Sequence, residues 1–287
     1  MAWKEDKDEI TQRHFQAINN NNIKLFEIIK ENLTEIQPVL PLIEFVISRL
    51  ETVVTLITDN RIWDAEIILR SALETFIKFL FITTAEKDEQ EIRINEFWNS
   101  LSEINSLKQS NQAQKNLKYF GHSELHRTAY SPMILPEELE TELRKKWTKP
   151  ERRKIEQKWS FSEMVFSISK QYEGKALEMV LALSHSYRMS SHVSHGDEMG
   201  ILIIKERESR TTEDYEIAMA AHYCRLLSDS FIYCAFLGIE TMNFLNLSSQ
   251  KKFFFDNQKS LDDIQKIILK YHNKLFEDEM EKQKVSE

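Results

Sequence analysis

The side chains best suited to chemistry are concentrated in one stretch, Tyr187 to Gly196, which reads YRMSSHVSHG. Imidazoles exchange protons near neutral pH, hydroxyls donate hydrogen bonds or act as nucleophiles, and a guanidinium can grip a phosphate through two parallel hydrogen bonds. At about 100° per residue, Ser184, Arg188, His192 and His195 share one third of a helix circumference, and Tyr187, Ser191 and Ser194 line its edge. The other face carries Leu177, Val180, Leu181 and Leu183. Solvated helix faces usually hold Lys, Glu and Gln, whereas Ser, His and Tyr are poorer helix formers, so something besides helix propensity selects them here. A plain solvated face is the alternative.

A second polar line, Glu66, Arg70 and Glu74, recurs every four residues along the most apolar segment and is bordered by Ile62, Ile67, Leu73 and Ile77. Charges so bordered must be paired, because an unpaired buried charge costs several kcal/mol. Either Arg70 and Glu74 pair with each other and fix helix register, or the line faces Tyr187, Ser191 and His195. The second arrangement puts Arg70 or Glu74 within hydrogen-bonding reach of one of those three.

Two further features compete for attention. From Arg144 to Lys158 the chain carries eight basic and two acidic residues, including Lys145, Lys146, Arg152 and Arg153, with Trp147 and Trp159 nearby. Such a run can track a phosphate backbone while the rings stack on bases, although helix-terminal charges and core tryptophans explain it equally. His185, His192 and His195 could converge on a metal, but the Glu-x-x-His pairs of a di-iron bundle are missing, so neither metal nor cofactor is expected. His122 and His126 fall in a loop-like segment, GHSELHRTAY.

The elements that must position these residues are helices. The 287 residues include only five Gly and five Pro, too few for the turns of sandwiches, barrels or βαβ units. Apolar residues at three and four spacing predict helices from about Pro41 to Asp59, Ile62 to Ile82, residues 150 to 173, Lys175 to His195, and Thr211 or Thr212 to Leu245. A last helix is expected from a Ser260 cap to about residue 280. Residues 119 to 135 read as a loop, Met199 to Glu206 as at most one short strand, and Asn19 to Asn22 as a break in an N-terminal segment. A net charge of −8 argues against a general nucleic-acid or lipid coat. The opening MAWKEDKDEI lacks an apolar signal core, no stretch has the roughly 18 apolar residues of a membrane span, and Cys224 and Cys234 read as reduced core thiols. A cytoplasmic protein without membrane contact is expected.

The segment AEIILRSALETFIKFLFI, followed after KWSFSEMVFSI by Tyr187-x3-Ser191-x3-His195-Gly196, resembles a bacterial all-helical family marked by a Leu-Arg-Ser-x2-Glu helix and a Tyr-x3-Ser-x3-His-Gly helix. The likeness spans roughly residues 43 to 245 and implies a helical fold and a candidate site, since that family carries no assigned reaction. More distantly, Arg188 and His195 with six residues between them match the Arg-x4-6-His signature of HEPN ribonucleases, helical proteins that often serve as toxins or antiviral defence effectors. Met189 stands where such proteins usually place a polar residue. That likeness implies metal-independent RNA cleavage, with His195 as general acid or base and Arg188 on the scissile phosphate.

The resulting expectation is an all-α single bundle of about seven to nine helices over residues 33–287, with a HEPN-like core and a peripheral helical arm at 1–32. Its candidate catalytic residues are Arg188, His195, His192, Tyr187 and Ser191, and its candidate binding residues are Arg70, Glu74, Lys145, Lys146, Arg152 and Arg153. Two readings of function follow. One is a HEPN-like ribonuclease or defence effector that meets RNA and acts as a homodimer or with a partner protein. The other is a non-catalytic helical sensor or scaffold whose polar centre fixes packing or binds a small ligand.

Overall fold

The computed structural model describes residues 2–172 and 180–286, and their regular secondary structure is entirely helical. In chain order the α-helices are α1 (Ala2–Glu31), α2 (Leu33–Ile36), α3 (Leu40–Thr58), α4 (Ile62–Thr83), α5 (Lys87–Asn95), α6 (Leu101–Phe120), α7 (Glu124–Tyr130), α8 (Glu137–Lys146), α9 (Lys149–Lys158), α10 (Phe161–Gln171), α11 (Leu183–His195), α12 (Glu198–Glu208), α13 (Thr212–Phe244), α14 (Lys251–Lys259) and α15 (Gln265–Ser286). The expectation of seven to nine helices was low because several stretches break into short pieces. A π-helical turn at Glu96–Ser100 separates α5 from α6, the anticipated loop at 119–135 contains α7 and a 3₁₀ turn, and α14 precedes the last helix. The expected start of the 175–195 helix, including Leu177, lies outside the described residues.

The described residues contain no strand. Met199 to Glu206, rich in Ile and Leu, lies within α12 because Asp197 caps that helix, its carboxylate accepting from the Gly200 N–H at 3.0 Å. A capped helix outcompetes a strand that would have no partner. Gly200 is required at this corner, since a Cβ there would lie 2.3 Å from the His192 carbonyl oxygen. Gly196 ends α11 in the left-handed conformation with φ 58°, as its position in the sequence implied.

The chain divides into two compact units, one of Met1–Thr84 with Ile168–Glu287 and one of Ala85–Ser167. In the first, α4 packs against α3, α11 and α13, while α13 also receives α1, α14 and α15. The α4 side chains Leu69, Leu73, Phe76, Ile77 and Leu80 are buried, which places this most apolar segment in the core as its composition demanded. The N-terminal segment, expected as a peripheral arm broken near Asn19, is one continuous helix with Ile10, Leu25 and Ile28 buried. Its asparagines hold tertiary partners instead of breaking the helix: Asn21 accepts from Asn257 Nδ2 at 2.7 Å and Asn22 donates to Glu51 at 3.4 Å. Cys224 and Cys234 are free and buried, and burial pushes both thiols up to about 12, where they stay protonated. No helix among the described residues is long and apolar enough to cross a membrane.

In the second unit, carboxylates pin the tryptophans. Trp147 Nε1 donates to Glu103 at 2.6 Å and Trp159 Nε1 to Glu96 at 3.0 Å. Trp159 is buried, so its face is closed to a nucleobase, which removes half of the aromatic support for a nucleic-acid track.

The seam between α13 and α14 offers a test of packing. A methyl at Gly238 would fall 2.1 Å from the Phe254 ring, itself fully buried. Gly238→Ala should therefore lose about 1–3 kcal/mol in urea denaturation, against the gain of about 1 kcal/mol that alanine brings to an open helix position. A stabilised variant would show that the seam is loose.

Candidate functional site

The polar line on α4 faces two different neighbours. Arg70 Nη2 donates to the Tyr187 hydroxyl at 2.9 Å, and its guanidinium lies 4.6 Å from the Tyr187 ring centroid. This fulfils the expected contact between the two segments. Glu74 does not pair with Arg70 in a register-fixing bridge; it accepts from Lys78 at 3.0 Å. Burial and the nearby Glu74 charge raise the Tyr187 pKa against the pull of Arg70, so the phenol keeps its proton while its oxygen accepts from Arg70.

One turn earlier, Glu66 is the hub of a buried network. Its carboxylate accepts from Ser190 Oγ and from Arg225 Nη2, and meets His222 Nε2 at 2.7 Å. Arg225 in turn donates to Asp229 at 2.8 Å. Burial works to raise the Glu66 pKa, but the His222 hydrogen bond and the charge of Arg225 outweigh it and hold the carboxyl at about 2. Burial lowers the His222 pKa, so a neutral ring protonated on Nε2 donates to an ionised Glu66. Burial raises the Asp229 pKa against the opposing charge of Arg225.

The sequence reading mis-set the phase of α11. The inward residues are Ser186, Met189, Ser190 and Val193, spaced at three, four and seven, not the line of Tyr187, Ser191 and His195. Tyr187 alone of that line reaches α4, while Ser191 is partly exposed and His195 is exposed at the helix end. Leu181, expected on the apolar face, is 53% exposed. Small serines allow close helix packing, and treating them as solvent-seeking hid the pattern. His222, Arg225 and Asp229 were missed altogether because α13 reads as an apolar helix. Their own spacing of three and four within an apolar run was the available signal.

Beside the hub opens a cleft of about 510 Å³ lined by Trp63 and Glu66 of α4, His185, Ser186, Met189 and Val193 of α11, Ile203 and Arg207 of α12, His222 and Arg225 of α13, and His272, Leu275, Phe276 and Glu279 of α15. This volume falls in the range of small-molecule sites. Most of the wall is apolar, and its charged groups are the hub pair Glu66 and Arg225 together with Arg207 and Glu279. Among the described residues no group of three or more His, Cys, Asp or Glu is arranged to hold a metal.

The remaining sequence candidates lie elsewhere. Arg188 is exposed on the outer side of α11, and His192, one turn on, has its Nδ1 2.7 Å from Asp197 Oδ2. Lys145, Lys146, Arg152 and Arg153 belong to the second unit, where Lys146 pairs with Glu103 at 2.7 Å.

Residues 38–209, more than half of the chain, match a family of unknown function, DUF5677. The chain belongs to that family. No curated protein and no solved structure matches it. DUF5677 membership agrees with the resemblance to a helical family without an assigned reaction. The DUF5677 segment contains Glu66, Arg70, Tyr187, Ser190 and Arg207, while His222 and Arg225 lie beyond it. The buried hub therefore joins the family segment to the helix that follows.

Ionised Glu66 dictates a pH response. With a folded pKa near 2 against an ordinary 4.5, its contribution is fully present above 4.5 and is lost as pH falls toward 2. Glu66→Gln should cost about 3 kcal/mol at neutral pH, since it leaves Arg225 without its buried partner. The deficit should narrow as the pH is lowered through 4.5 toward 2, as read by urea denaturation. A pH-independent deficit would mean that Glu66 is not ionised in the folded protein.

Proposed function

We propose that this chain is a non-catalytic helical binding protein that takes a small ligand in the cleft between α4, α11, α12, α13 and α15. The observation that carries this reading is the cleft itself: an apolar chamber of ligand size whose floor is a fully paired ion network. Paired ions make a rigid floor, and rigid polar groups in an apolar chamber orient a ligand at low entropic cost. The same pairing speaks against catalysis at the hub, because Glu66 is already ionised and committed to Arg225 and His222.

A second reading, a HEPN-like ribonuclease or defence effector acting on RNA, draws on a different place. The exposed Arg188 and the His192 imidazole oriented by Asp197 sit one helical turn apart on the outside of α11. An imidazole oriented by a carboxylate is a recurrent acid–base device, and Arg188 would hold the phosphate. In this reading His192 is better oriented than His195, whose ring shares the exposed helix end, and a second copy would complete the surface.

Thermal melts against a fragment set separate the two. The binding reading expects fragments that raise the melting temperature of the wild type by a few degrees and leave Val193→Trp, which fills the cleft from α11, unmoved. No selective fragment, together with RNA cleavage in EDTA that His192→Ala or His195→Ala abolishes, would replace it with the ribonuclease reading.

A further inference from the structure

The cleft holds two carboxylates, and both are answered. Glu66 has Arg225 and His222, and Glu279 lies 2.6 Å from Arg210 Nη1. Arg225 is answered by Glu66 and Asp229. Arg207 differs. Its nearest carboxylate contact is Glu206, at 3.8 Å from Nε, and Glu206 is itself engaged at 2.7 Å by Arg210. Arg207 Nη1 is enclosed and has no hydrogen-bond partner among the described residues. Its side chain is only 26% exposed and lines the cleft. Burial and the like charge of Arg210 lower its pKa against the pull of Glu206 and Glu279, yet a guanidinium stays protonated at any physiological pH, so the positive charge persists there.

Among the other cleft groups Glu279 favours that charge from a distance but is engaged by Arg210. His272 Nε2 donates to the Ala221 carbonyl at 3.1 Å, and His222 is committed to Glu66. The apolar part of the cleft lining is Trp63, Met189, Val193, Ile203, Leu275 and Phe276, which offer surface but no acceptor. A guanidinium N–H enclosed without an acceptor is costly, and a ligand that supplies the acceptor removes that cost on binding.

We infer that the cleft takes a small anionic amphiphile, with a carboxylate or phosphate head on Arg207 and an apolar body against Trp63, Met189 and Phe276. The inference rests on the binding reading above and names the chemistry of its ligand. Arg207 is the anchor; the hub supplies the rigid floor; α15 supplies the outer wall.

Three naphthalene probes share one body and test the head group: 1-naphthoate, 1-naphthyl phosphate and the neutral 1-naphthalenemethanol. Titration calorimetry on the full chain should find at least one anion bound tighter than the alcohol, and the preferred anion separates a carboxylate ligand from a phosphate one. Arg207→Gln should weaken that anion about tenfold and leave the alcohol unchanged, and Arg207→Lys, which keeps the charge, should recover part of the loss. Circular dichroism establishes that each variant is folded. If the alcohol binds as tightly as either anion, or Arg207→Gln binds the anions like wild type, the inference falls while the cleft reading stands. If Val193→Trp binds all three probes like wild type, or no probe binds at all, the cleft reading falls with it.

Discussion

The arrangement of the first unit depends on one buried carboxylate. Glu66 lies on the helix with the most apolar surroundings, and it is ionised only because α11 sends a serine and α13 sends an arginine and a histidine to meet it. A charge taken out of water is tolerated only when its partners are close and correctly directed. The requirement is reciprocal, since Arg225 needs Glu66 as much as Glu66 needs Arg225. Three helices far apart in sequence are therefore tied at one point, in an orientation that apolar packing alone would leave degenerate. Arg70 and Tyr187 repeat the tie one turn along, closer to solvent and correspondingly weaker.

The cleft follows from that tie. With α4, α11 and α13 fixed by polar contacts, α12 and α15 close over their edges without filling the space between, and the hub becomes a floor. The Asp197 cap and Gly200 set the corner at which α12 leaves α11, bringing Ile203 and Arg207 to the wall. The DUF5677 segment supplies α4, α11 and α12, whereas the floor is completed by residues beyond it on α13.

Helical class, the central place of α4, the end of α11 at Gly196 and the contact of Arg70 with Tyr187 were all legible in the sequence. Each is a local signal: hydrophobic period, Gly and Pro scarcity, or a charged line enclosed by isoleucines. What was not legible depended on partners distant in the chain. Asn21 reads as a breaker until Asn257 is seen bonded to it, and Met199 to Glu206 allows a short strand until the Asp197 cap sets it in a helix. Ser190 was passed over for Ser191 because one residue shifts a helix face by about 100°, and only the position of Glu66 chooses between them. His222 and Arg225 were hidden inside an apolar run whose polar members are explained only by a carboxylate on another helix.

The claim that the Glu66 network fixes this unit is tested most directly by a double-mutant cycle between Glu66 and Arg225. Urea denaturation of wild type, Glu66→Gln, Arg225→Met and the double variant gives the coupling energy free of each residue's other contacts. The account predicts that each single variant loses about 3 kcal/mol or more and that the double variant loses no more than either, a coupling of about 3 kcal/mol or greater. Additive losses, with coupling near zero, would contradict it.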